Sequence, residues 1–224
     1  MFLSPFHQVQ YNDVNQGRCG ECGDIWSDPR PRANDEGGKY GKGIIVANYI
    51  QEQAIDIKIQ VTANHGGFFE FRLCADKISP GDLTTDECFD KHLLQFEDGT
   101  TRYILGATVG GPSALFNFTL RLPAGVSCQY CVLQWWWKTA SNNNGCAGND
   151  IGCGEQEQYK NCADVAIVAN GAVSNVTKSP DSFISTVSTN TVGPTCPSYD
   201  NNTFICVCGS SVCQLQEIGN SPVS

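Results

Sequence analysis

His65 is the side chain in this sequence best placed to hold a ligand. It stands in the stretch Ala54 to Cys74, AIDIKIQVTANHGGFFEFRLC, where an alternating strand runs out ahead of Gly66-Gly67 and a second, aromatic strand from Phe68 to Leu73. Paired glycines allow another backbone or a ligand to come close, and a histidine where a strand ends can reach it. Imidazole is the commonest metal-binding side chain. The plainer alternative is a histidine on a surface turn. His7 and His92 are the only other imidazoles in the chain, so a zinc site built on three histidines would need all of them.

Other residue sets could also do chemistry, and each has a structural alternative. Cys19-Gly-Glu-Cys22 and Cys128-Gln-Tyr-Cys131 share the C-x-x-C spacing of zinc ribbons and redox dithiols. The two pairs are far apart in sequence, other cysteines surround them, and no βαβ pattern flanks either, so structural disulfides fit better. Trp135 and Trp137 share one face of a strand and Trp136 takes the other. Such rings serve either as core or as a platform for sugar rings. Glu155 with Glu157, or Glu70 with Asp164, would suit glycoside hydrolysis only at ~5 to ~9 Å separation, which sequence does not establish. No nucleophile elbow, phosphate loop or dinucleotide glycine pattern occurs.

The elements that must position these residues are short strands. Ile55, Ile57, Ile59 and Val61 alternate with Asp56, Lys58 and Gln60. Ala114 to Leu122 alternates Phe116, Phe118, Leu120 and Leu122 against polar neighbours. Gly43 to Ile50, Cys131 to Lys138 and Asp164 to Val168 complete the series, separated by Gly, Pro and Asn-rich loops. Arg18 to Tyr40 reads as an irregular loop pinned by Cys19 and Cys22. No sustained helical stripe with caps is present. An all-β sandwich of immunoglobulin or fibronectin type, with long disulfide-pinned loops, is expected.

Composition narrows the compartment and partners. The 224 residues carry a formal net charge of −9 and no basic run, which argues against a nucleic-acid partner. Thirteen cysteines point to disulfides and an oxidising, extracellular compartment. Sequons at Asn117, Asn175 and Asn201 agree with secretion. The opening MFLSPFHQVQ has no features of a signal peptide, so a signal peptide is expected upstream of a chain that lacks its natural N-terminus. No apolar run reaches the ~18 residues of a membrane span.

Six blocks carry a resemblance: RCGECGD (Arg18 to Asp24), GGKYGKGIIVANY (Gly37 to Tyr49), TANHGGFFEFRLC (Thr62 to Cys74), ECFD (Glu87 to Asp90), LPAGVSCQYCVLQWWWKT (Leu122 to Thr139) and GCGEQEQYKNCADVAI (Gly152 to Ile167). In order and spacing they resemble the chitin-binding type-4 domain and, more closely, the animal lytic polysaccharide monooxygenases of auxiliary-activity family fifteen. The resemblance implies a fibronectin-like sandwich with one copper ion held by an N-terminal histidine, through its amine and side chain, and by a second histidine. It also implies chitin or a related insoluble polysaccharide as substrate, an electron donor, and a monomer. His65 matches the second ligand, Ala63 the small residue on one axial side, and Tyr159 the aromatic residue on the other.

The departures matter as much. Family members begin at the ligand histidine and then carry a Phe-Cys-Gly-Gly block, neither of which appears here. His7 lies in the wrong segment to replace that histidine. Residues 1–169 hold nine cysteines, and the missing block would supply a tenth to restore even pairing. Thr139 to Gly145 reads TASNNNG where relatives tend to carry Thr-Gly-Asn-Ser-Trp-Gly. The expected organisation is an N-terminally incomplete polysaccharide monooxygenase-like domain over 1–169, a Ser/Thr-rich linker over 170–195 and a Cys-rich tail over 196–224. A truncated, inactive copper enzyme is the first expectation. A non-catalytic extracellular chitin-binding module is the alternative, and a stapled structural domain without glycan a third.

Overall fold

The computed structural model describes residues 15–61, 63–111, 114–140, 151–154 and 156–170, with backbone alone for 106–111. Among these residues eight strands are formed: β1 (Ala47–Ile50), β2 (Ala54–Val61), β3 (Asn64–Cys74), β4 (Gln95–Phe96), β5 (Tyr103–Gly111), β6 (Ala114–Arg121), β7 (Cys128–Lys138) and β8 (Gln158–Val168). A single-turn helix, α1 (Asp86–Phe89), is capped by the Thr85 side chain, which accepts from the Cys88 N–H. The strands make a five-stranded sheet in the order β1-β8-β7-β3-β5 and a three-stranded sheet in the order β2-β6-β4.

The alternation seen in sequence decides which faces meet. Ile55, Ile59 and Val61 of β2 join Phe118 and Leu120 of β6 on the inner face of the small sheet. Opposite them stand Phe69, Phe71 and Leu73 of β3, Leu133 and Trp137 of β7, and Val165 and Ile167 of β8. Phe69, fully buried, makes edge contacts with Phe116, Phe118, Trp135 and Trp137 at centroid distances of 5.3 to 5.9 Å. Apolar side chains from both sheets thus form one sandwich core, as expected for this fold class.

Several boundaries move for physical reasons. β2 and β3 belong to different sheets, so the segment between them crosses from one layer to the other. β3 starts at Asn64, which puts His65 inside a strand rather than on the turn before it. β8 extends back to Gln158, because pairing with β7 continues to Lys138. β1 is shorter than Gly43 to Ile50, since Gly43 takes a φ of +64°. β4, β5 and α1 had no distinct signal in the sequence.

Among the described residues three disulfides join Cys22 to Cys162, Cys74 to Cys88 and Cys128 to Cys131. The C-x-x-C pair at 19 and 22 is therefore divided. Cys22 is tied to β8, while the Cys19 thiol has no bonded partner among the described residues, and burial pushes its pKa up to about 11. The loop they anchor packs by charge. Glu21 receives Arg30 and Arg32, the latter at 2.5 Å, and Glu36 receives Lys77 at 2.6 Å. Gln134 of β7, fully buried, donates to the Glu21 carbonyl at 2.7 Å. Among the described residues no helix is long and apolar enough to cross a membrane. The expected linker from residue 171 onward and the Cys-rich tail lie outside the described residues.

Candidate metal site

His65 is held by an irregular stretch of β3. The register against β5 shifts on both sides of it, between Asn64 and His65, between His65 and Gly67, and again before Phe68. The Asn64 side chain accepts from the Gly66 N–H at 2.8 Å, and the His65 carbonyl accepts from Ala140 N–H at 3.0 Å. Such a bulge re-aims a side chain at the end of a sheet. Gly67 makes it possible: its φ is +87°, and a Cβ there would lie 1.9 Å from the Lys138 carbonyl oxygen.

Gly67→Ala therefore combines left-handed strain with a clash against backbone that cannot swing away. We expect a loss of roughly 3 kcal/mol or more. Gly99 has a similar φ of +81°, but a Cβ there would meet nothing within 4 Å, so Gly99→Ala should cost only about 1 kcal/mol. Urea unfolding of the two variants checks this. Equal losses would mean that close approach is not what the glycine provides.

An aromatic stack connects His65 to the rest of the expected site. Its ring is stacked with Trp137 at 5.9 Å, and Trp137 is stacked with Tyr159 at 4.9 Å. Trp137 is itself fixed by donating from its indole N–H to the Gly66 carbonyl at 2.8 Å. The Tyr159 hydroxyl donates to a Glu157 carboxylate oxygen at 3.3 Å. Burial first, and then the Glu157 charge, push the Tyr159 phenol well above its ordinary pKa, so it stays protonated. Ala63 is exposed at the bend just before β3.

His65 Nδ1 is buried and has no hydrogen-bond partner among the described residues. A buried polar atom without a partner costs about 1 to 3 kcal/mol, and in native structures it usually has a reason. A ring that accepts a ligand fits this better than one pinned for packing. Among the described residues, no three His, Cys, Asp or Glu side chains converge as a metal cage. The fit is thus to one imidazole donor of a larger set. His7 lies outside the described residues.

The other candidate constellations separate. Glu70 is buried and held by Arg72 at 2.9 Å and Arg102 at 2.6 Å. Glu70 and Asp164 sit two strands apart and are offset by four residues, roughly 13 Å along the strands alone, too far for paired carboxylate chemistry. Glu155 lies outside the described residues. Trp137 is core, while Trp136 packs on the opposite face against Phe68 and under Arg72. Sequence reasoning missed Trp137 as the link between His65 and Tyr159, and missed Glu157 as the partner of the phenol. The shared face of the tryptophans was visible, but the strands paired beside them were not.

Residues 4–165 match a family model described as lytic polysaccharide mono-oxygenase, cellulose-degrading. Among solved structures, the chain is similar to an AA15 lytic polysaccharide monooxygenase from Thermobia domestica in the Cu(I) state. The two are 48% identical, with 72% of this chain and 82% of that chain covered and a TM-score of 0.62. No curated protein sequence matches the chain.

Proposed function

The chain belongs to the lytic polysaccharide mono-oxygenase family, and we propose that it is a secreted, monomeric, copper-dependent protein directed at chitin, with His65 as one ligand of a single copper ion. The observation that carries this is the buried, uncommitted Nδ1 of His65 beside the Trp137 and Tyr159 stack. Copper suits nitrogen donors, and when bound it would supply the one-electron chemistry that lets O2 or H2O2, with an electron donor, attack a C–H bond of the glycosidic linkage.

The chain's own residues do the positioning. Bulged backbone at Gly66 and Gly67 aims the imidazole, and Trp137 gives it an apolar wall. Tyr159, kept protonated by burial and by Glu157, backs Trp137 through its stacked ring, and with the small, exposed Ala63 just before β3 it would leave room for a metal held by His65. Extracellular placement is supported by the disulfides, which persist in oxidising compartments.

A polypeptide of residues 1–224 alone offers His65 without an N-terminal histidine amine beside it. Made in that form, it is expected to bind copper weakly and to release no oxidised sugars. The test is incubation with copper, ascorbate and either chitin or cellulose, followed by mass spectrometry of soluble products. Oxidised chito-oligosaccharides would refute the expected inactivity and support chitin. Oxidised cello-oligosaccharides would favour cellulose, the substrate in the matching family's description. Retention on chitin that a chelator does not reverse would favour the non-catalytic module instead.

A further inference from the structure

We infer that Asn117 is an N-glycosylation site whose glycan covers the outer face of the three-stranded sheet. The sequon Asn117-Phe118-Thr119 lies within β6, the middle strand of that sheet. Alternation points Phe118 inward, where it is buried against Phe69, Phe71 and Phe96. Asn117 is consequently fixed outward and is exposed, between Leu115, which is 49% exposed, and Thr119. Directly opposite on β2 stands Lys58, and Thr119 donates to Asp56 at 3.1 Å. The Asn117 carboxamide makes no hydrogen bond with the described residues, so nothing in the fold competes for it.

Room for a branched sugar comes from the exposure of this outer face, where Asn117 is exposed and Leu115 is 49% exposed. β4 pairs with β6 only at Leu120 and Arg121, so the side of β6 facing away from β2 at Asn117 is not covered by that strand. Sugar attached there would lie over Leu115 and beside a strand edge that no described strand pairs, both of which invite association in a bare sheet. The other two sequons, at Asn175 and Asn201, lie outside the described residues.

The transfer joins Asn117 Nδ2 to the anomeric carbon of a lipid-pyrophosphate-linked oligosaccharide. The bond from that carbon to the pyrophosphate breaks, lipid pyrophosphate leaves, and one amide proton is lost to solvent, with no change of oxidation state. Because this donor is met only in the secretory lumen, the site depends on the proposed secretion in the organism, but its acceptor quality can be tested apart from it.

The full chain, given a foreign leader and expressed in a eukaryotic secretory host, is collected from both medium and membrane fraction. Glycosidase release in heavy-oxygen water should label Asn117 in the peptide that contains it. Thr119→Ser should retain the glycan, and Thr119→Ala and Asn117→Gln should lose it, each reducing the intact mass by one glycan. An unlabelled Asn117 in lumenal, disulfide-bonded protein would overturn the inference whatever the natural route of the chain. Labelled Asn117 in a chain whose own gene supplies no leader would instead overturn secretion and leave the acceptor site standing.

Discussion

In a polypeptide of residues 1–224, His65→Ala is expected to remove the imidazole-held part of its weak copper binding while leaving the metal-free fold intact. Loss of groups that merely orient a ligand costs about 10 to 100-fold in metal affinity, so loss of the ligand itself should cost at least about a hundredfold. Residual copper should then lose the imidazole nitrogen couplings in its paramagnetic spectrum. His92 is the control, since it lies in the turn after α1, far along the chain from β3's bulge, and contributes its carbonyl to the Leu73 N–H. His92→Ala should leave affinity and spectrum as they were.

The same substitution separates a ligand from a packing residue. An imidazole retained for stability would be hydrogen-bonded, and its removal would cost the usual penalty of a broken buried interaction. Here the Nδ1 has no partner among the described residues, so alanine trades lost contact with Trp137 against relief of an unsatisfied group. The melting temperature of the metal-free protein should move by only a few degrees. A large loss of stability with unchanged copper binding would make His65 structural and would sink the proposed site.

Legibility from sequence followed the range of the interactions involved. Period-two alternation showed β2 and β6, because one face of each is core and the other solvent. The tryptophan strand was visible instead as a short apolar, aromatic run, since Val132 and Gln134 on one face are buried as Leu133 and Trp137 are on the other. Alternation assigns a face but names no neighbour, so it could not reveal that β2 and β3 join different sheets. β5 escaped because YILGATVGG is glycine-rich with weak alternation, and it is held by its ladder to β3. The site divides in the same way. His65 was conspicuous beside two glycines, and Tyr159 came with a family motif. The stack through Trp137 and the hydrogen bond to Glu157 depend on the pairing of β7 with β8, which local sequence does not encode. Cysteine pairing was hidden likewise: Cys22 bonds to Cys162 across 140 residues, past the nearer Cys19.

That long bridge sets the largest expected effect on stability. The loop carrying Cys22 contains no strand of either sheet; this disulfide and the Gln134 hydrogen bond to the Glu21 carbonyl hold it to β8 and β7, while Glu21 with Arg30 and Arg32 ties the loop together internally. Loop-closure entropy assigns about 5 kcal/mol to a bridge spanning 140 residues and about 3 kcal/mol to the Cys74 to Cys88 bridge spanning 14. For a domain of this size, about 2 to 4 °C of melting temperature accompanies each kcal/mol. Replacing Cys22 and Cys162 together by serine should therefore lower it by about 10 to 20 °C. Both must be changed, because Cys19 offers a second thiol to Cys162 if Cys22 alone is removed. Replacing Cys74 and Cys88 should have the smaller effect. Calorimetry of the two double variants decides between this order and its reverse, and equal small shifts would mean that the Gln134 hydrogen bond and the loop's own charged contacts hold it without the bridge. Since Cys162 follows Tyr159 closely on β8, the first variant should also loosen the phenol's contact with Trp137, which a change in tyrosine and tryptophan fluorescence would register.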